Sequence, residues 1–209
     1  MATNYDGHDC QIFLSHSGQQ KHIVEDLFIA LRRIFKERAE GAIFFDRSVD
    51  SIPLGNNIFN NIENAIYACK VGVLVISPNF LESEWPMREL NWLVERSRSG
   101  NPISLYPIFY DTRDINKDMK SETASLDKWE KTWEAFKEGV ANVQKWAQYV
   151  VEVKEMRGKI LRPNETVELE LYNMAMEIAE MLPSSLSAPR PLPSPPSQVF
   201  SLLISQTSP

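Results

Sequence analysis

Short apolar runs alternate along this chain with longer stretches whose apolar residues recur three or four apart. Gln11-Ile12-Phe13-Leu14 is the first run, and Val24, Leu27, Phe28, Leu31, Ile34 and Phe35 then fall on one helical face. Ala42–Phe45 predicts a second strand ending in Asp46, and Arg47–Gly55 carries the Ser, Asp, Pro and Gly of a loop. Ile58, Ile62, Ala65, Ile66 and Cys69 mark another helical face. Val71–Ile76 is apolar apart from Gly72, as a strand covered on both sides should be. Ser77–Trp85 reads as a loop, Trp85 to about Arg98 as a helix, and Ile103–Tyr110 as a fourth strand.

Further on, Asp127–Ala141 and Val143–Val153 predict helices anchored by Trp129, Trp133, Phe136, Trp146 and Val150. Gly158–Leu161 predicts a short fifth strand. Glu165–Leu182 predicts a closing helix with Val167, Leu171, Met174, Ile178 and Leu182 on one face. Strands alternating with helices imply an α/β fold with a parallel sheet and right-handed crossovers. In such sheets a ligand sits beyond the carboxyl ends of the strands, where the strand order reverses. The loops at Ser15–Gln19, Asp46–Gly55, Ser77–Trp85 and Asp111–Asn116 are therefore expected around one crevice.

The last 27 residues read differently. Positions 183–209 contain seven Pro and eight Ser with Arg190 as the only charge, which predicts a disordered, extended tail. This divides the chain into an extension (1–8), one domain (9–182) and a Pro/Ser-rich tail (183–209). Composition narrows the partners. A net charge of −6 argues against nucleic acid or an anionic membrane. No apolar run approaches the ~20 residues of a membrane span, and the first residues lack the features of a signal peptide. A cytoplasmic protein is expected, with a nuclear location left open. Cys10 and Cys69 lie beside apolar runs and read as buried free thiols, and no His/Cys spacing suggests a metal site. The sequon Asn164-Glu165-Thr166 then carries no expectation of glycosylation.

Common α/β signatures are missing. The first loop, Ser15-His16-Ser17-Gly18, is not GxGxxG, and neither a GxxxxGK[ST] phosphate loop nor a GxSxG elbow occurs. The crevice does offer a carboxylate. In Glu84-Trp85-Pro86-Met87-Arg88-Glu89-Leu90, Pro86 suits a first helical turn and Glu89 falls at its end. There the helix dipole would favour the ionised form by about 0.3–1 kcal/mol. Such a carboxylate beside a sugar can stabilise an oxocarbenium-like transition state. The plainer alternative is a solvated helix Glu paired with Arg88 or a neighbour.

Gln11–Gly18, Phe44-Phe45-Asp46, Pro53-Leu54-Gly55, Ala65-Ile66, Val75–Phe80, Trp85–Leu90 and Tyr106–Tyr110 together resemble a TIR (Toll/interleukin-1 receptor) domain, and Val143-Gln144-Lys145-Trp146 fits the plant branch. The resemblance spans roughly residues 9–182 and suggests a TIR-only protein. It implies a flavodoxin-like fold, a five-stranded parallel sheet with helices on both faces. It also implies an NAD⁺ glycohydrolase or cyclase that releases nicotinamide and ADP-ribose or cyclic ADP-ribose isomers as plant immune signals. NAD⁺ is then the substrate, and no cofactor is expected. The family's catalytic glutamate maps onto Glu89. Ser15, His16, Ser17, Gly18, Phe45, Asp46 and Trp85 map around the substrate, the Ser and His groups as hydrogen-bond donors to phosphate or ribose and Trp85 as a wall or a core anchor. Ser51, Ile52, Pro53, Leu54 and Gly55 map onto the BB loop, which closes the site and meets a neighbouring subunit.

The implied partners are further copies of the chain and other TIR proteins. The chain departs from the plant pattern at Ser17, where Arg is common, at Glu25-Asp26, where a self-association Ser-His pair is common, and at Pro86, where Cys is common. The Pro86 departure speaks against a cyclic nucleotide synthetase activity. Two alternatives to the enzyme are a non-catalytic adaptor acting through TIR–TIR contacts and a flavin-binding flavodoxin.

Overall fold

Ile12–Ser15 forms the first strand, β1, and its neighbours set the frame for everything else. The computed structural model describes residues 10–35, 42–45, 58–112, 126–136, 140–163 and 167–183. The strands are β1, β2 (Ile43–Phe45), β3 (Val71–Ile76), β4 (Ser104–Tyr110) and β5 (Lys159–Leu161). They pair in parallel in the order β2-β1-β3-β4-β5. The order reverses between β1 and β3, so the switch point lies at the carboxyl ends of those two strands.

The helices are α1 (Lys21–Phe35), α2 (Ile58–Ala68), α3 (Pro78–Leu81), α4 (Glu84–Ser97), α5 (Asp127–Glu134), α6 (Val140–Glu155) and α7 (Val167–Glu180). They cover both faces of the sheet, and the twofold alternation of strand side chains sorts the layers. Ile12, Leu14, Val71, Val73 and Val75 pack with α1 and α7. Phe13, Leu74 and Ile76 point the other way, to Met87, Leu90 and Leu93 of α4 and to Trp129, Trp133 and Trp146 of α5 and α6. Gly72 shares that second face. A Cβ there would lie 2.7 Å from Leu93 Cδ2, so the absent side chain lets α4 settle against β3.

The predicted strands and most helices are present, with shifts at the ends. The segment expected as a loop between Ser77 and Trp85 is instead the one-turn helix α3 followed at once by α4, which starts at Glu84. Ser77 caps α3, its Oγ accepting from the Phe80 amide at 3.0 Å. Trp133 Nε1 donates to the Leu81 carbonyl at 2.6 Å and pins the α3–α4 corner. α5 ends at Glu134, well short of the predicted Ala141. Cys10 and Cys69 are buried free thiols, as expected, and burial pushes the Cys69 thiol up to about 12. No described helix is long and apolar enough to cross a membrane. The tail after Pro183, the sequon and the extension before Cys10 lie outside the described residues.

Lys159 of β5 donates to Glu177 of α7 at 2.5 Å, and Tyr106 of β4 donates to the same carboxylate at 2.6 Å. Both bonds hold Glu177 below the usual carboxylate range, the lysine first. A depressed folded value means the contribution is present above the ordinary Glu range and is lost as pH falls through the folded value. Glu177→Gln should therefore lower the urea midpoint at pH 7, with the gap to wild type closing toward pH 3.

Gly158 offers a second test of packing. A Cβ there would lie 2.7 Å from the Pro107 carbonyl and 2.5 Å from Phe109 Cε2, contacts that backbone cannot yield cheaply. Gly158→Ala should lower stability by about 1–3 kcal/mol, read by denaturant titration.

Candidate active site

Three elements meet at the switch point: the end of β1, the α3 cap after β3, and the second turn of α4. Strand parity puts Ser15 on the same face as Phe13, toward α4. Its hydroxyl donates to Glu89 Oε2 at 2.5 Å. Ser15 is fully buried and Glu89 only 8% exposed. A fully solvated Glu89 is therefore ruled out. Arg88 binds Glu84 at 2.8 Å, with its guanidinium 5.7 Å from the Trp85 ring centre.

Two details of the expected geometry need correction. Because α4 begins at Glu84, Glu89 occupies the second turn rather than the end of the first. The dipole effect fades within the first turn, so the hydrogen bond from Ser15 matters more to this carboxylate. Trp85 is no core anchor either, being 37% exposed.

The first loop is held by a second cluster. Ser17 starts a 3-10 turn over Gly18–Gln20, and the Gln20 amide donates to the Ser17 carbonyl at 3.0 Å. Ser17 Oγ donates to Gln20 Oε1, and Ser77 Oγ donates to the same oxygen at 2.8 Å. All three residues are buried. A serine has a single hydroxyl hydrogen, and Ser15 and Ser17 both spend theirs on protein acceptors. As arranged here, both hydroxyls present lone pairs rather than hydrogens to their surroundings.

His16 is half-buried, its ring centre 5.2 Å from that of Phe45, and Phe45 also meets Phe28 at 5.5 Å. The structure therefore brings Ser15, Ser17, Glu89 and the unforeseen Gln20 and Ser77 to the β1–β3 junction, and sets Phe45 and His16 at the neighbouring β2 end. Gly18 lies in the same loop, with open space where a side chain would project. Asp46 and the whole of Ser51, Ile52, Pro53, Leu54 and Gly55 fall outside the described residues. Gln20 gave no advance signal, since an isolated Gln in a loop fits no motif.

Asp111, at the end of β4, adopts φ +48°, a left-handed turn that Asp tolerates. Among the described residues, no three His, Cys, Asp or Glu side chains are placed to hold a metal ion. A groove of about 560 Å³ lies elsewhere, between α1 and α7 on the opposite sheet face, lined by Asp26, Ile29, Arg33, Leu169 and Tyr172 among others. It has no access to Glu89, which faces the α4 layer.

A parallel five-stranded sheet with a buried acid at its switch point defines a flavodoxin-like α/β protein with a polar site between β1 and β3. The sequence matches the TIR domain over residues 12–142, and the chain belongs to the TIR-domain family. It is similar to an NAD(+) hydrolase, TcpA, of Theionarchaea archaeon (strain DG-70-1), at 28% identity over 47% of this chain and 28% of that protein. It is similar to a probable 2′ cyclic ADP-D-ribose synthase, BdTIR, of the plant Brachypodium distachyon, at 30% identity over 49% of this chain and 42% of that protein. It is also similar to an NAD(+) hydrolase, PdTIR, of Paracoccus denitrificans (strain Pd 1222), at 32% identity over 55% of this chain and 34% of that protein. The chain thus spans less than half the length of these relatives. Its fold matches the TIR domains in the activated Roq1 resistosome that recognises the effector XopQ, with a TM-score of 0.60 and 22% identity over 80% of this chain and 97% of that one.

The Ser15–Glu89 bond is open to a double-mutant cycle. Ser15→Ala and Glu89→Ala should each destabilise the protein, with a coupling of about 0.5–3 kcal/mol from paired denaturant curves.

Proposed function

We propose that this protein cleaves the nicotinamide–ribose bond of NAD⁺, giving nicotinamide and ADP-ribose or a cyclic ADP-ribose isomer. The observation that carries this is the buried Glu89 carboxylate, held by Ser15 at the switch point. The names of the relatives, NAD⁺ hydrolases and cyclic ADP-ribose synthases, support the same chemistry.

In this reaction the C1′–N bond breaks, and its electron pair goes to the nicotinamide nitrogen, neutralising the pyridinium charge. Positive charge then develops on C1′ and the ring oxygen of the ribose. A carboxylate nearby stabilises that charge more in the transition state than in the ground state, which is what accelerates a reaction. Burial strengthens the effect by excluding water. A carboxylate has about four lone-pair positions, so Glu89 can accept from Ser15 and from a ribose hydroxyl together. Water then supplies hydroxide to C1′ and releases a proton, or a hydroxyl of the same substrate bonds to C1′, loses its proton and closes a ring. NAD⁺ is the substrate here and no cofactor is invoked. Activity as a defence signal in plant cells, dependent on self-association, completes the proposal.

A second reading rests on a separate observation. Ile29, Leu169 and Tyr172 leave apolar surface exposed around the α1–α7 groove, a feature suited to contacts with other TIR domains. A purely adaptor protein would use such contacts and cleave nothing.

Concentrated wild-type protein should release nicotinamide from NAD⁺, read by chromatography and mass spectrometry. Glu89→Gln, which keeps an acceptor for Ser15, should cut turnover by about 10²–10³ while the fold is retained. Full turnover in a folded Glu89→Gln protein would remove the assignment. Association with other TIR domains without NAD⁺ loss at any concentration would favour the adaptor.

A further inference from the structure

We infer that Gln20 is a positioning residue, its side-chain oxygen clasping the first crevice loop to the loop after β3 and so fixing the substrate-binding side of the site against Glu89. The inference rests on the cleavage reading above and extends it to a residue outside the family signature quoted for this chain.

Gln20 Oε1 takes two hydroxyl hydrogens, one from Ser17 on the β1 side and one from Ser77 on the β3 side. β1 and β3 are neighbours, so this oxygen bridges the two strand ends at the point where the sheet opens. Ser77 also accepts from the Phe80 amide and starts α3. The corner after α3 is gripped by Trp133, and α4 follows with Glu89. A continuous path of hydrogen bonds and short helix therefore runs from the first loop to the helix carrying the acid.

The task selects the residue type. A carboxamide or carboxylate oxygen has two lone pairs and can take both hydroxyls, whereas Leu offers none and Lys or Arg only hydrogens. Gln20 is 5% exposed and the two serines less than that, so water does not easily replace the clasp. Gln20 has no contact with Glu89 in the hydrogen bonds that define the clasp. Its effect on the reaction runs through the loop, and it belongs to substrate capture rather than to charge stabilisation.

The experiment compares full-length wild type, Gln20→Leu and Gln20→Glu, reading nicotinamide release against NAD⁺ concentration and amide hydrogen exchange at Phe80. Gln20→Leu should raise KM about tenfold with kcat within about threefold. Gln20→Glu keeps a two-lone-pair acceptor and should restore KM to near the wild-type value at neutral pH. Phe80 exchange should quicken in Gln20→Leu and return toward wild type in Gln20→Glu.

A lowered kcat with KM unchanged in folded Gln20→Leu overturns the inference. So does an unchanged KM in Gln20→Leu, or equal KM values in the Leu and Glu variants. If wild type releases no nicotinamide at all, the cleavage reading fails by itself. Phe80 exchange then decides the clasp, faster exchange in Gln20→Leu upholding it and equal exchange in all three proteins overturning it. Should Gln20→Leu fail to fold, a Gln20→Glu protein with raised KM and quickened Phe80 exchange would overturn it, and wild-type values of both would uphold it.

Discussion

The hydrogen bond from Ser15 to Glu89 is the constraint around which the site is built. It joins the last residue of β1 to the second turn of α4, two elements separated by 74 positions in the chain. A buried carboxylate is costly unless its oxygens find donors, so the bond limits both the rotation of α4 and the residue at the end of β1. Strand parity makes this possible. Only a residue in phase with Phe13 can face α4, and Ser15 is in phase. Gly72 completes the arrangement by allowing Leu93, one turn past Glu89, to lie close over β3.

The same bond explains how a carboxylate can be buried at the end of the sheet. A helix dipole alone would contribute little at the second turn. A hydroxyl donor held by a strand is directional and already in place in the folded chain. Arg88, the chain neighbour of Glu89, pairs with Glu84 one turn earlier.

Much of the fold was legible in the sequence because its signals are long-range averages. Val71–Ile76, most of the helical face from Val24 to Phe35 and the side chains of Trp129, Trp133 and Trp146 have burial as their physical cause and are buried as expected, while Phe28, Ile34 and Phe136 are partly covered. The site was legible less evenly. Glu89 was found by the Trp85-to-Leu90 pattern, yet its depth was not, since a single Glu in an amphipathic helix looks the same whether it is solvated or clasped. The turn α3 was missed because four residues contain no period to detect. Gln20 was invisible for a related reason: its role is set by Ser77, 57 positions away, and no local pattern encodes that meeting.

β1 is the element shared by the two halves of the molecule. Its alternate residues Ile12 and Leu14 pack into the α1–α7 layer, while Phe13 and Ser15 face the α4 layer. The exposed apolar groove belongs to the first layer and the acid to the second. A contact made at the groove therefore does not touch the site directly, and any influence on Glu89 has to pass through the strand. Close-packed protein interiors tend to transmit displacements, because they hold little empty volume into which a side chain can retreat. The serine at the end of β1 is consequently where packing on one face of the sheet becomes geometry on the other.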